Sequence, residues 1–248
     1  MKITVVTATI HPDDALALTL ASVADQRDVD VESIVVDGRG RSEDFKSRFP
    51  KSRFICQEPR GVYNAINHGI SHAEGDIIGL LHGSDTFTSP TVLKQIADEF
   101  EADPGLDFVY GNIQYVSGLS RTPRRVYYGG DFRPGDLQYG IHPPHPSLYI
   151  RREAAQRIGK YREDLVIAGD VDMWIRLFNS GLHYKYMPLT MVYMTTGGLS
   201  TTLKARLYTN NIEKLKVLRD NGLKANPLKL TVRYFDALRQ LIWKRNRH

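Results

Sequence analysis

QEPRGVYNAINHGISHAEGDIIGLLHGSDTF, residues 57–87, is the stretch whose reading decides the fold. It opens on a turn. Residues 62–73 then carry Ile66, Ile70 and Ala73 at helical spacing, Gly75 breaks the helix, and residues 77–81 form a near-continuous apolar run. Such a run marks a parallel strand buried on both faces. The polar exit HGSDTF ends in an isolated carboxylate, Asp85. In an open α/β sheet, ligands bind at the loops that leave the carboxyl ends of strands, so Asp85 is the first candidate for a binding side chain.

The pattern continues on either side. Residues 3–7 read as a strand, with Pro12, Asp13 and Asp14 suited to a first helical turn and Leu16, Leu20 and Val23 on one helical face. Residues 32–37 are a second strand, ending in Asp37 and followed by GRGRS, a loop entering another helix. Residues 54–57 are a third strand, and neighbours Phe54 and Ile55 suggest that Cys56 is a buried structural thiol. After the opening stretch come a helix over 90–102 and a strand over 107–111. This alternation predicts an α/β fold with a mainly parallel sheet and helices on both faces.

The second half is less regular. Short β-rich pieces at 113–116 and 125–128 suggest a mixed sheet edge. Residues 147–150 read as a strand, 152–158 as a short helix, and 170–179 as a helix that buries Trp174, Leu177 and Phe178 and starts with Asp170 and Asp172. From about residue 201 the chain becomes helical and basic. Residues 201–248 hold 12 Lys and Arg against 3 Asp and Glu, net +9, whereas residues 1–200 hold 21 against 25, net −4. The expected division is an α/β domain over 1–202 and a basic helical extension over 203–248. Three readings of that extension stay open: a solvated helix packed on the domain, a helix lying on an anionic membrane surface, or a nucleic-acid contact.

With 42% hydrophobic and 25% charged residues, the composition is that of a folded chain rather than a disordered one. A single cysteine excludes an internal disulfide and any cysteine-cluster metal site. The start MKITVVTATI is interrupted too early for a signal peptide, and no run reaches the ~18 apolar residues of a membrane span. These features lead us to expect a cytoplasmic protein.

Asp37, Asp85 and Asp170 stand at element ends that a parallel sheet could bring to one edge. Converging carboxylates suit a divalent metal or a polyhydroxyl ligand, or they merely solvate loops. Asp85 and Asp170 could equally be turn and helix caps. His142 and His145 in HPPHPS read as a metal pair or as part of a proline-stiffened loop. Tyr63 reads as structural, and GGLSTT at 197–202 as a turn or a lid.

Taken together, ITVVTATI at the start, ESIVVDG at 32–38, the 58–87 stretch, HPSLYIRRE at 145–153, AGDVDMWIRL at 168–177 and GGLSTT resemble family 2 glycosyltransferases of the GT-A fold. The likeness is to the bacterial exopolysaccharide, colanic-acid and lipopolysaccharide types. It spans residues 1–202 and implies an inverting, metal-dependent transferase that moves sugar from a nucleotide-diphosphate sugar, UDP-sugar favoured, to a glycan or lipid-linked acceptor. It further implies that Thr7, Ala8 and Thr9 line the nucleotide pocket with Asp37, that Arg60, Asn64 and Ser84 join them, and that Asp85 holds Mg²⁺ or Mn²⁺. Asp170 matches the catalytic base, with Asp172 as its rival, while His145 and Arg176 fall on the acceptor or diphosphate side. Many relatives have paired acids where this chain has Ser84-Asp85; Arg60, Asn64 and His82 also depart from the usual residues. Lipid-linked acceptors in such families imply attachment at the inner membrane face through the basic tail.

Two other functions compete. A sugar nucleotidyltransferase would want a glycine-rich phosphate loop after the first strand, and ATATIHPDD has none. A nucleic-acid-binding module rests on the tail alone and lacks an aromatic-basic recognition motif, so no nucleic-acid partner is expected.

Overall fold

The expected alternation forms over the first hundred residues. In the computed structural model, which describes residues 1–10, 12–40, 42–117, 122–195 and 210–232, strands β1 (Lys2–Thr9), β2 (Asp30–Asp37), β3 (Ser52–Cys56) and β4 (Ile77–Leu80) alternate with helices α1 (Asp14–Ala24), α2 (Glu43–Arg48) and α3 (Val62–Ser71). β1 is central, parallel to β2 on one side and to β4 on the other, and β3 extends the parallel set at the edge. Every residue of β4 is buried, which is why its sequence is an apolar run rather than an alternation. Asp13 caps α1 by accepting the Leu16 N–H at 3.0 Å, so Pro12 lies ahead of the cap rather than inside the first turn.

The rest is β5 (Thr86–Phe87), α4 (Val92–Ala102), β6 (Phe108–Ser117), β7 (Thr122–Tyr127), β8 (Tyr149–Arg151), α5 (Arg152–Ile158), α6 (Gly169–Asn179), β9 (Tyr184–Thr195) and α7 (Asn210–Asp220). The sheet runs β3-β2-β1-β4-β8-β6-β9-β5, with β7 paired to β6. β8 is antiparallel to both β4 and β6, β9 is parallel to β6, and β5 is antiparallel to β9. The architecture is therefore the expected α/β class, with a parallel first half and a mixed second half. Helices cover both faces: α3, α5, α6 and α7 bury one core against the sheet, and α1 and α4 bury others. α6 docks through aromatics, with Trp174 stacked on Phe178 at 5.5 Å between centroids and both packed near Phe108. Truncating a side chain as buried as Trp174 costs about 3–5 kcal/mol.

Several local expectations are corrected. β9 was not foreseen, because Pro188 interrupts it; the β6–β9 register shifts there, pairing Tyr110 with Tyr186 but Asn112 with Thr190. The pieces at 107–111 and 113–116 are one strand, continuous through Gly111, where a Cβ would come within 2.7 Å of the Leu189 carbonyl in the bulge. Ser147 belongs to a 3₁₀ turn, and β8 begins at Tyr149. Cys56 is exposed rather than buried, since β3 is the edge strand. The expected boundary at 202/203 lies outside the described residues, as do GGLSTT and residues 233–248. Within the extension, however, α7 buries Val217 and Leu218 in the same core as Trp174. No helix among the described residues is long and apolar enough to cross a membrane.

Candidate active site

Three strand ends meet at one edge. β1 and β2 run in register to their last pair, Thr9 with Asp37, and the Gly38 N–H donates to the Thr9 carbonyl at 2.8 Å. Beyond β4, the Leu81 N–H donates to the Val6 carbonyl at 3.0 Å, and Gly83 passes so close to β1 that a Cβ there would lie 3.6 Å from the Ala8 carbonyl. The structure thus brings Thr7, Ala8, Thr9, Asp37, Ser84 and Asp85 together. Asp37 is buried and accepts the Arg39 N–H at 2.9 Å.

Asp85 is set by a tight turn and by a strand from the other half. The Ser84 and Asp85 N–H groups both donate to the His82 carbonyl, at 2.8 and 2.9 Å. Thr195, at the end of β9, donates its N–H to Asp85 Oδ1 at 3.1 Å and its hydroxyl to the Ser84 carbonyl at 2.7 Å. Asp85 Oδ2 is buried with no hydrogen-bond partner among the described residues. Burial pushes the Asp85 carboxyl up to about 7, and the Thr195 N–H opposes this only in part. An orphaned carboxylate oxygen in a dry setting fits a hard divalent cation. Among the described residues no group of three or more His, Cys, Asp or Glu is placed to hold a metal, so Asp85 alone could not complete a coordination shell.

Asp170, at the start of α6, has the opposite environment. Burial acts to raise its pKa, but His142, His145 and Lys214 pull it below the ordinary carboxylate value. His142 Nε2 lies 3.7 Å from Asp170 Oδ2. His145 is buried, meets the Tyr161 hydroxyl at 3.0 Å, and is pushed down to about 4 by burial and the neighbouring imidazoles, with Asp170 opposing. At neutral pH it is an uncharged wall beside an ionised Asp170.

The backbone ahead of Asp170 is clamped from two distant elements. Tyr63 of α3 donates its hydroxyl to the Ile167 carbonyl at 2.6 Å and accepts the Gly169 N–H at 2.9 Å. Position 169 must be glycine, because a Cβ would fall 2.6 Å from the Tyr63 ring. Glu213 of α7 accepts the N–H groups of Val166, Ile167 and Ala168 at 2.9, 2.8 and 2.9 Å. Lys214, next in sequence, is buried, donates to the Gly140 carbonyl at 3.4 Å, and its charge helps to lower the Asp170 pKa.

Four expected site residues do not join this group. Asp172 sits about 200° around the helix from Asp170; its carboxylate accepts Arg176 Nε at 2.8 Å and Asn221 Nδ2 at 2.9 Å in the interior. Arg176 spends its remaining nitrogens on the Ile158 and Lys160 carbonyls, at 2.7 and 3.0 Å. Asn64 bridges Gln57 and Glu163, each at 2.7 Å, and Arg60 lies exposed on a loop beside Glu58. Conversely, Glu213, Lys214, Thr195 and Tyr115 bear on the site but carry no local signal; Glu213 lies in a segment whose charge reads as basic.

A mixed α/β sheet that gathers carboxylates at one edge of its strand ends is an arrangement suited to binding a ligand there. The profile of "Glycosyl transferase family 2" matches residues 4–159, and the chain belongs to that family. It is 28% identical over 208 residues to a PGL/p-HBAD biosynthesis glycosyltransferase of Mycobacterium tuberculosis, covering 80% of this chain and 79% of that one. It is 29% identical over 188 residues to the uncharacterized glycosyltransferase YwdF of Bacillus subtilis, covering 71% and 68%. Among solved structures, S. aureus TarS 1-349 in complex with UDP-GlcNAc superimposes with a TM-score of 0.72 at 16% identity, covering 89% of this chain and 65% of that one. This chain spans 39% of the longer TarS chain. A mannosyltransferase of Pyrobaculum calidifontis in complex with GDP-Man and Mn²⁺ gives 0.63 at 18% identity, covering 92% and 66%. Those two likenesses bear on the fold.

Proposed function

We propose that this chain is an inverting glycosyltransferase that moves a sugar from a nucleotide-diphosphate sugar, UDP-sugar favoured, to a hydroxyl of a glycan or lipid-linked acceptor in cell-surface polysaccharide synthesis. The observation that carries the reading is the divergence of two carboxylates at one edge. Asp170 is held below the ordinary carboxylate value, with His142 and Lys214 beside it, while Asp85 is pushed up to about 7 and keeps an unpaired oxygen. Groups whose environments drive them apart in this way take different roles.

Asp170 is the general base: it accepts the proton of the acceptor hydroxyl as that oxygen attacks the anomeric carbon from the face opposite the leaving diphosphate. His145, neutral and hydrogen-bonded to Tyr161, lines the acceptor side. Thr7, Ala8, Thr9 and Asp37 receive the nucleoside, and Ser84 and Asp85 floor the diphosphate. Asp85 would hold Mg²⁺ or Mn²⁺; when bound, such an ion neutralises charge building on the leaving phosphate. We assign Asp172, Arg176 and Asn64 to holding the scaffold, and we place α7 with the catalytic unit rather than in a separate extension. The M. tuberculosis relative's part in PGL biosynthesis supports a cell-surface acceptor. The exposed apolar side chains Leu228 and Val232 support contact with the membrane face; unchanged binding of a Leu228→Asp/Val232→Asp variant to anionic vesicles would remove that part of the reading.

Calorimetry with UDP-, GDP- and dTDP-sugars, with and without Mn²⁺, tests the core of it. Metal-dependent binding of one class is expected, and absence of binding across the panel would sink it.

A further inference from the structure

Asp37, Asp85 and Asp170 gather at the strand ends, and a nucleoside diphosphate would add more negative charge there. Lys214 answers Asp170. A second cation stands on the β6–β7 hairpin. Arg125 is directly opposite Tyr115, Tyr115 pairs with Met194 on β9, and the next β9 residue, Thr195, holds Asp85. Cross-strand partners share a face and neighbouring strands lie about 4.8 Å apart, so Arg125 stands about two strands from the Thr195–Asp85 contact.

The guanidinium is held between two rings. It lies over the Tyr115 ring at 4.9 Å and the Tyr127 ring at 5.9 Å from the centroids. Tyr127 in turn donates its hydroxyl to the His142 carbonyl, on the loop that sets His142 against Asp170. Burial raises the Tyr115 pKa; Arg125 opposes the rise, and Asp85 and Asp170 add to it, which places this ring within the field of both acids. Among the described residues no carboxylate pairs with Arg125. A half-buried guanidinium, set over two rings, bonded to the Tyr115 hydroxyl and not committed to an acid, keeps further N–H donors of its fork for phosphate oxygens.

We infer that Arg125 is a phosphate-binding residue of the transfer site, poised on Tyr115 and Tyr127 to receive either the donor diphosphate or a phosphate carried by the acceptor. The inference rests on the donor reading given above and adds to it a residue from the second half of the sheet. The donor diphosphate is the nearer source, since the Tyr115–Met194 row leads to the Asp85 loop.

Calorimetry of the full chain and of Arg125→Gln and Arg125→Lys with UDP and with uridine tests this, with thermal melting to verify the fold. Arg125→Gln should weaken UDP about tenfold or more and leave uridine unchanged, with Arg125→Lys between, because lysine keeps the charge but loses the fork. If UDP binding holds but KM rises only for a polyprenyl-phosphate-linked sugar and not for the same sugar as a simple glycoside, the phosphate is the acceptor's. A folded Arg125→Gln that binds UDP as the parent does, with both KM values unchanged, overturns the inference and leaves the donor reading standing. A parent chain that binds neither UDP, GDP nor dTDP overturns the donor reading, and Arg125's role with it.

Discussion

The two halves of the sheet place their functional groups by different means. In the parallel half, Thr9 and Asp37 reach the edge because β1 and β2 run in register, so backbone hydrogen bonds alone position them. In the mixed half, Asp170 is set by side chains from afar: Tyr63 lies 106 residues from Gly169, and Glu213 lies 45 from Ala168. Register fixes where a strand end lies, whereas the base proposed above must be aimed, and aiming uses contacts that can be removed one at a time.

The largest expected effect falls on the aimed side. Asp170→Asn should keep fold and nucleotide binding while turnover drops by about 10²–10⁴, the usual contribution of a positioned base. Transfer near the parent rate would break the division between halves. The matching Asp172→Asn change should act on stability instead, because it strips an interior partner from Arg176.

Asp85 sharpens the comparison through pH. Its carboxyl is raised to about 7 in the folded chain, above the ordinary value of 3.8. Folding therefore bears no penalty below the unfolded pKa, loses stability as pH rises between the two values, and bears the full penalty above about 7. Summed over that range the penalty is on the order of a few kcal/mol. Asp85→Asn should raise the Tm of the ligand-free chain at pH 8, leave it unchanged near pH 4, and abolish metal-dependent donor binding. In the parent, that binding should strengthen as pH rises through 7.

The smallest effect expected is at Glu213. Glu213→Gln keeps an acceptor for the three amides but loses the charge, and should cost about tenfold in kcat with donor KM nearly unchanged. A purely structural role would lower Tm without separating kcat from KM.

This contrast also explains what could be read from the sequence. β1 to β4, α3, α4 and α6 announce themselves by local periodicity, and Asp37, Asp85 and Asp170 by standing at the ends of those elements. β9 escaped because Pro188 masks a strand that closes around it with a shifted register. Thr195, Glu213 and Arg125 escaped because their meaning lies in partners on other elements. Asp172 drew notice beside Asp170, and Arg176 through the family resemblance, but the helix pairs the two with each other.

The Tyr63 hydroxyl also carries an expectation about the order of events in folding. Its bonds to Ile167 and Gly169 close a loop of more than a hundred residues, and the entropy of so long a closure predicts that they form after the parallel layer. On that account the strand-end edge should form before the proposed base, Asp170, is set in place. In pulse-labelled hydrogen exchange, the Gly169 amide should gain protection after those of β1 and β2, so that a nascent chain becomes able to hold its donor before it can transfer the sugar.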